Sequence, residues 1–303
     1  METAVVPLHV LDTDVDIVVS GEGATEFAQM VAERWHLAVS EVASAAGEEA
    51  GSEEAGPEGT RPGETGQGDT RPGETGKGET RQDEAPEPVT VTVELTASDS
   101  GSDTGSTSGE RRRLQRLTQQ VTRAVIEART GDLLMLHAGA LCHATTGAAV
   151  AFVAPGGTGK STLCSVQGPG RAYLTDETVG IRRDGTIAPY LKPISTRRPD
   201  WSGVKDEVAP GGIGLRPPTV SAQLAGIVLL RREDGWVGAP EVTVLDTLTA
   251  LTEIAPETSG FSSTHRPLTW LAELLEETGG ARRVSYATAD QLGPLVDSVC
   301  GAI

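Results

Sequence analysis

Aromatic side chains are scarce in this sequence: four Trp, three Tyr and three Phe make up 3% of 303 residues. Apolar residues reach only 37%, below the usual level for a globular chain. Cysteine is sparse too. Cys142, Cys164 and Cys300 have neither metal-ligand nor C-x-x-C spacing, which excludes a cysteine metal centre and a dithiol redox site. An odd, scattered set of thiols fits a reducing cytoplasm. No apolar run approaches the ~20 residues of a membrane span. The opening Met1-Glu2-Thr3 is acidic where a secretory signal is basic. A cytoplasmic protein is therefore expected, with no membrane partner.

Basic charge is also in deficit. The formal net charge is −18, and residues 41–110 hold 17 acidic and 4 basic side chains of the total. The rest of the chain is only mildly acidic, with 26 acidic and 21 basic groups. Neither part offers the basic excess that nucleic acid or an anionic membrane requires, so no nucleic-acid partner is expected. The acidity belongs mostly to a linker. Between about Ala43 and Pro88 the sequence is dominated by Glu, Gly, Thr and Pro. A ten-residue repeat starts at Thr60, recurs at Thr70 and fades after Thr80-Arg81. Such a composition buries no core and predicts a disordered insert, read as a tolerated loop expansion or as a tether.

What the chain does have is one strong motif. Ala154-Pro155-Gly156-Gly157-Thr158-Gly159-Lys160-Ser161-Thr162 has the spacing G-x-x-x-x-G-K-S/T, with Ala154 in the first Gly position. The apolar run 148–153 leads into it and a helix-compatible segment, 161–166, follows. That is strand, glycine loop and helix start, the layout of a phosphate-binding loop. The glycines let several backbone N–H groups converge on one anion, and the helix adds the positive end of its dipole. Lys160 can reach the β- and γ-phosphates of a nucleotide, and the Ser161 hydroxyl can bind Mg²⁺.

Around this motif the pattern alternates strands and helices. Residues 4–20 read as two strands about a turn at Asp12-Thr13-Asp14, and 24–38 as a helix with Phe27, Met30, Val31, Trp35 and Ala38 on one face. Val89 to Leu95 alternates strictly, so the insert interrupts one small N-terminal α/β unit. Leu114, Leu117, Val121, Ala124, Val125 and Ala128 mark an amphipathic helix. Leu133 to His143 is an apolar strand with His137 inside it, either a satisfied core histidine or one facing a site. Arg171 to Ile181 reads as a strand with Asp176 and Glu177 in its middle, either a metal or base pair or two solvated acids. Residues 192–218 read as a long mobile loop. Its Lys192, Arg197, Arg198 and Lys205 suit a phosphate or an acidic substrate, and suit ordinary surface charges slightly better. Helices are expected at 246–254, 268–277 and 289–299, and strands at 222–230 and 283–287.

Three blocks in order carry a resemblance: Leu136-His137-Ala138-Gly139-Ala140, the loop from Ala154 to Thr162, and Tyr173-Leu174-Thr175-Asp176-Glu177-Thr178-Val179. Over roughly residues 133–235 the chain resembles the HPr serine kinase/phosphorylase family and its smaller relatives. The resemblance implies an α/β P-loop kinase domain of the HPr-kinase/PEP-carboxykinase-like type over residues 131–303. The N-terminal unit (1–43 and 89–130) and the insert (44–88) would precede it. It implies ATP and Mg²⁺, with residues 154–162 on the nucleotide and Lys160 and Ser161 on phosphate and metal. Asp176 matches the carboxylate that takes the acceptor's proton, and His137 a histidine near the transferred phosphate. Glu177 stands where the family has a second aspartate, in a metal or positioning role. The arginine-bearing segment tied to phosphorylase activity has no counterpart, and the N-terminal third is unlike the HPr-binding enzyme. The expectation is an ATP-dependent kinase for a serine of a protein or peptide. A small-molecule kinase, for example of an amino acid, and a nucleotide-binding switch that transfers nothing are the alternatives. The oligomeric state, including a homo-oligomer, is left open.

Overall fold

The computed structural model describes residues 2–40, 87–95, 107–197 and 203–301. The acidic repeats, with the expectation of a disordered insert, lie outside these residues, as does Arg198. Residues 1–40 and 88–303 group as one contact unit.

Alternating burial makes the first hairpin. β1 (Thr3–Val10) and β2 (Thr13–Ser20) pair antiparallel, with Thr3 opposite Ser20 and Val10 opposite Thr13. The turn is Leu11-Asp12, one residue earlier than the sequence suggested. Both residues sit at positive φ, 49° and 54°, as a two-residue type I′ turn requires. Neither is glycine, and tertiary contacts offset the strain. Leu11 is fully buried and its N–H donates to the Pro189 carbonyl at 2.9 Å. Asp12 accepts two bonds from the Arg182 guanidinium, at 2.6 and 2.7 Å. Beyond the insert, β3 (Val89–Glu94) joins β2 in parallel, Val15 opposite Val89. Two helices pack on this sheet, α1 (Ala24–Arg34) and α2 (Thr107–Arg129). Phe27, Val31 and Trp35 are buried from the first segment, and Leu114, Leu117, Val121 and Val125 from the second, at helical spacing. His36, next to this buried face, is exposed.

The remaining chain builds a larger mixed sheet. Its strands are β4 (Leu134–Cys142), β5 (Ala148–Val153), β6 (Ala172–Thr175), β7 (Thr178–Ile181) and β8 (Ile187–Ala188). After the short pair β9 (Ile194–Thr196) and β10 (Asp206–Val208) come β11 (Gln223–Arg232), β12 (Glu241–Val244), β13 (Thr258–Ser259) and β14 (Ala281–Tyr286). The order is β12-β14-β11-β5-β4-β7-β8, and β6 and β13 also pair with β4. β11 runs parallel to β5 and β14, and the other pairings are antiparallel. The helices are α3 (Lys160–Gln167), α4 (Thr247–Ile254), α5 (Pro267–Glu277) and α6 (Gly293–Cys300). Val150 and Phe152 of β5 face one core, with Leu163 of α3 and Val296 of α6. Ala149, Ala151 and Val153 face the other, with Ile254 and Trp270. A strand covered on both faces reads as an unbroken apolar run, which is why 148–153 stood out. Among the described residues no helix is long and apolar enough to cross a membrane.

Two further sequence readings change. The expected strand 171–181 is two strands, β6 and β7, with Asp176 and Glu177 in the break. The Thr175 hydroxyl accepts from the Glu177 and Thr178 N–H groups at 3.1 and 3.3 Å, which turns the chain there. The expected loop 192–218 contains β9 and β10, paired with Ser195 opposite Glu207, and a 3₁₀ turn at Pro210–Ile213.

The close seating of α3 on β4 is testable. A Cβ on Gly139 would lie 2.8 Å from the Cys164 Sγ, inside contact distance. Gly139→Ala is expected to cost about 1–3 kcal/mol as overpacking. Cys164→Ala in the same chain should recover most of the loss, read from urea midpoints in a double-mutant cycle. Additive losses would show that Gly139 is needed for another reason.

Candidate functional site

The register of β4 assembles the site. Ala138 is opposite Val153, the last residue of β5, so His137 lies one step beyond, where the glycine loop leaves the sheet. On its other edge β4 pairs with β6 through Ala140–Cys142 and with β7 through Leu134–His137. The Asp176-Glu177 break therefore falls beside Ala138 and Gly139, and the Ala138 N–H donates to the Glu177 carbonyl at 3.0 Å. The three sequence blocks meet at one point of one strand.

Two of the loop's glycines take the left-handed backbone that favours glycine. Gly157 and Gly159 have φ of 87° and 109°, and Gly159 is the residue from which α3 starts. Thr158 closes the turn by donating its hydroxyl to the Pro155 carbonyl at 2.9 Å. Lys160 is buried. Its Nζ donates to the carbonyls of Ala154 and, at 3.2 Å, Pro155, so the side chain lies across its own loop. Burial lowers its pKa to about 8, against the opposing pull of Glu257, Asp176 and Glu177.

A cavity of about 520 Å³ opens over the loop, within the ~300–1,000 Å³ usual for small-molecule sites. Of the residues expected at the nucleotide, Gly156, Gly157, Gly159, Lys160, Ser161 and Thr162 line it. Ala154 and Pro155 instead line a neighbouring cavity of about 410 Å³ on the other flank of the loop, with Arg283 and Glu257. Thr158 lines neither. His137, Asp176 and Glu177 face the main cavity, as do Lys192, Ser195, Arg197, Lys205 and Arg232. Among these lining residues five Lys and Arg side chains stand against two carboxylates, so the wall is cationic although the chain is strongly acidic.

Asp176 is the electrostatic centre. It is 3% exposed, and its Oδ1 is 2.9 Å from the Lys192 Nζ. Burial alone would raise its pKa. Lys192 and the hydroxyls of Ser161 and Tyr173 outweigh burial and hold it below the usual carboxylate value. The Tyr173 hydroxyl donates to it at 3.2 Å. Lys192 also lies 3.4 Å from Glu177, whose side chain is partly exposed to the cavity. Burial works against the charge of Lys192, but Asp176 and Glu177 raise its pKa well above the ordinary value. The preference for Lys192 as a surface charge is thus overturned: it is wholly buried. The signal was its place between Tyr190-Leu191 and Pro193-Ile194, an apolar stretch that a solvated lysine would interrupt.

His137 is neither a fully buried core histidine nor free. Its Nδ1 is 3.0 Å from Glu257 Oε2, and its ring reaches within 4.0 Å of where a Gly156 Cβ would stand. Glu257, in a 3₁₀ turn after α4, has no sequence pattern that marks it. The same holds for Glu207, 4% exposed, whose two oxygens accept from the Ser195 hydroxyl at 2.9 and 3.0 Å. Burial raises its pKa from 4.5 to about 7. The folded form therefore binds the proton more tightly than the unfolded chain, and stability is lost as pH rises from 4.5 through 7. Glu207→Gln removes that slope. Its stability relative to the natural chain should improve by up to about 3 kcal/mol between pH 5 and pH 8, read by urea unfolding. A pH-independent difference would show that Glu207 is ionised throughout.

Among the described residues no three His, Cys, Asp or Glu side chains gather to hold a metal by themselves. Mg²⁺ needs less, since it takes one or two protein oxygens and completes its shell with phosphate and water. The Ser161 hydroxyl beside the ionised Asp176, with Glu177 at the cavity wall, is a hard-oxygen set of that kind. No protein-family model matches the chain, and no curated protein matches it.

Proposed function

We propose that the chain is an ATP-dependent phosphotransferase of the P-loop kinase class, resembling the HPr kinases, which moves the γ-phosphate of Mg-ATP to a serine hydroxyl of a protein or peptide. The observation that carries this reading is the convergence of Lys160 and Ser161, at the start of α3, with the buried Asp176–Lys192 pair on one cationic cavity. A glycine turn with no ligand would not need a buried carboxylate set against its serine.

Each residue then has a role. The N–H groups of the loop and the first turn of α3 receive the triphosphate. Lys160 turns from its own carbonyls to the β- and γ-phosphates. Ser161 and Glu177 hold Mg²⁺, which supplies charge neutralisation at the transferred group. Asp176, kept ionised by Lys192, orients the Ser161 hydroxyl and the attacking hydroxyl rather than storing a proton. His137, held by Glu257, faces the γ-phosphate. Transfer of this kind depends on positioning and charge more than on covalent chemistry.

The test follows ATP labelled at the γ-phosphate, with Mg²⁺ and a fractionated lysate of the native cells. Label on a protein or peptide, lost in Asp176→Asn while ATP still binds, supports the reading. Label on a small solute makes the enzyme a small-molecule kinase. Binding without any Asp176-dependent transfer makes it a nucleotide switch, and no binding overturns the reading.

A further inference from the structure

The Ser195–Glu207 pair is not used by the reading above, and its serine lines the same cavity, with Glu207 enclosed behind it. β9, which carries Ser195, packs on α3, which carries Lys160 and Ser161. Ser195 is half-buried and lines the cavity. Its hydroxyl donates to a Glu207 carboxylate that is almost wholly enclosed, and the Lys192 Nζ lies 3.4 Å from the same oxygen. Ser195 and Glu207 are cross-strand partners, so the pair also ties β9 to β10. As a tie it is an expensive choice. Enclosing a carboxylate costs several kcal/mol that a threonine or apolar pair would not. A hydroxyl aimed at a cavity, with an enclosed carboxylate on its proton and an ammonium beside its oxygen, is the arrangement of an activated nucleophile.

We propose that Ser195 is itself a phosphoryl acceptor, modified within its own chain by the nucleoside triphosphate bound at the glycine loop, with Glu207 as the base. This rests on the nucleotide-binding reading and adds an acceptor to it. The Ser195 Oγ forms a bond to the γ-phosphorus. The bond from that phosphorus to the β–γ bridging oxygen breaks, and the nucleoside diphosphate leaves with the electron pair. The hydroxyl proton passes to Glu207. Glu207 can hold it, since burial has already raised its pKa to about 7. The new phosphate has Lys192, Arg197 and Lys205 on the same cavity wall to balance its charge.

The experiment uses the full chain, stripped with phosphatase and then given Mg²⁺ and γ-labelled ATP. Label on the chain is followed by intact mass and peptide fragmentation, and nucleotide binding by a fluorescent ATP analogue. The expected result is one phosphoryl group on Ser195, with a rate constant that does not change on dilution. Ser195→Ala loses the label and Ser195→Thr regains it as phosphothreonine. Glu207→Gln slows labelling about 100-fold. If the natural chain binds the analogue and acquires no label, or Ser195→Ala is labelled as fast as the natural chain, this proposal is wrong and the parent reading stands. If the natural chain does not bind the analogue, both fall.

Discussion

A Lys192→Met variant is expected to unfold about 3–5 kcal/mol more easily than the natural chain at neutral pH. The ammonium it removes is fully buried. It sits 2.9 Å from Asp176, 3.4 Å from Glu177 and 2.8 Å from the carbonyl of Pro193. Without it, Asp176 is a carboxylate at 3% exposure that keeps only hydroxyl partners. The loss depends on pH in a defined direction. In the natural chain the depressed Asp176 pKa contributes stability that is present above the ordinary value of 3.8 and is lost as pH falls through the folded value. The variant lacks that contribution, so the gap between the two chains narrows in acid. Adding Asp176→Asn to Lys192→Met should recover most of the loss, because a neutral pair needs no counter-charge. Urea unfolding at neutral pH, with both single variants and the double, measures the coupling. An unchanged midpoint in Lys192→Met would mean that water reaches the pair.

Lys160→Met has the opposite signature. Phosphoryl transfer is expected to fall on the order of 10³-fold, the scale of removing a preorganised charge from a transfer site. The unliganded fold should gain stability at the same time. Its folded pKa of about 8, against 10.5, means that burial makes the ammonium costly below pH 8, a cost relieved as pH rises from 8 to 10.5. Methionine removes that cost, up to about 3 kcal/mol less the two hydrogen bonds to Ala154 and Pro155. A side chain that weakens the free fold is what a ligand-binding group looks like in isolation. Transfer at natural rates in Lys160→Met overturns the assignment. A loss of stability would mean that Lys160 serves the loop's own structure. Lys160 and Lys192 are thus both buried, yet they separate by the sign of their effect on stability.

The sequence carried the elements well where the period was strong. The helix face of Leu114, Leu117, Val121 and Val125 and the strand 148–153 needed only local spacing. It carried the glycine loop because Lys160 and Ser161 stand next to glycines at a fixed interval. It did not carry Lys192. Charge was read from residue type, and a lysine in a Pro-rich stretch is solvated by default. Nor did it carry the break at Asp176-Glu177, since Val179 and Ile181 continue the alternation that Tyr173 begins. The Thr175 hydroxyl, bonded to two backbone N–H groups, ends β6 in a way that no hydrophobic pattern records.

By itself the sequence determined local matters: the strands and helices whose period is strong, and the residue types that stand on the glycine loop. These follow from steric and hydrophobic rules that act over a few residues. Only the tertiary structure decided which of those residues share a cavity. His137 meets Glu257 across 120 positions, and Ser195 meets Glu207 across 12. Such pairings depend on the register of β4 with β5, β6, β7 and β13, and on β9 with β10. Register is fixed by burial of both sheet faces at once, a property of the whole core rather than of any segment.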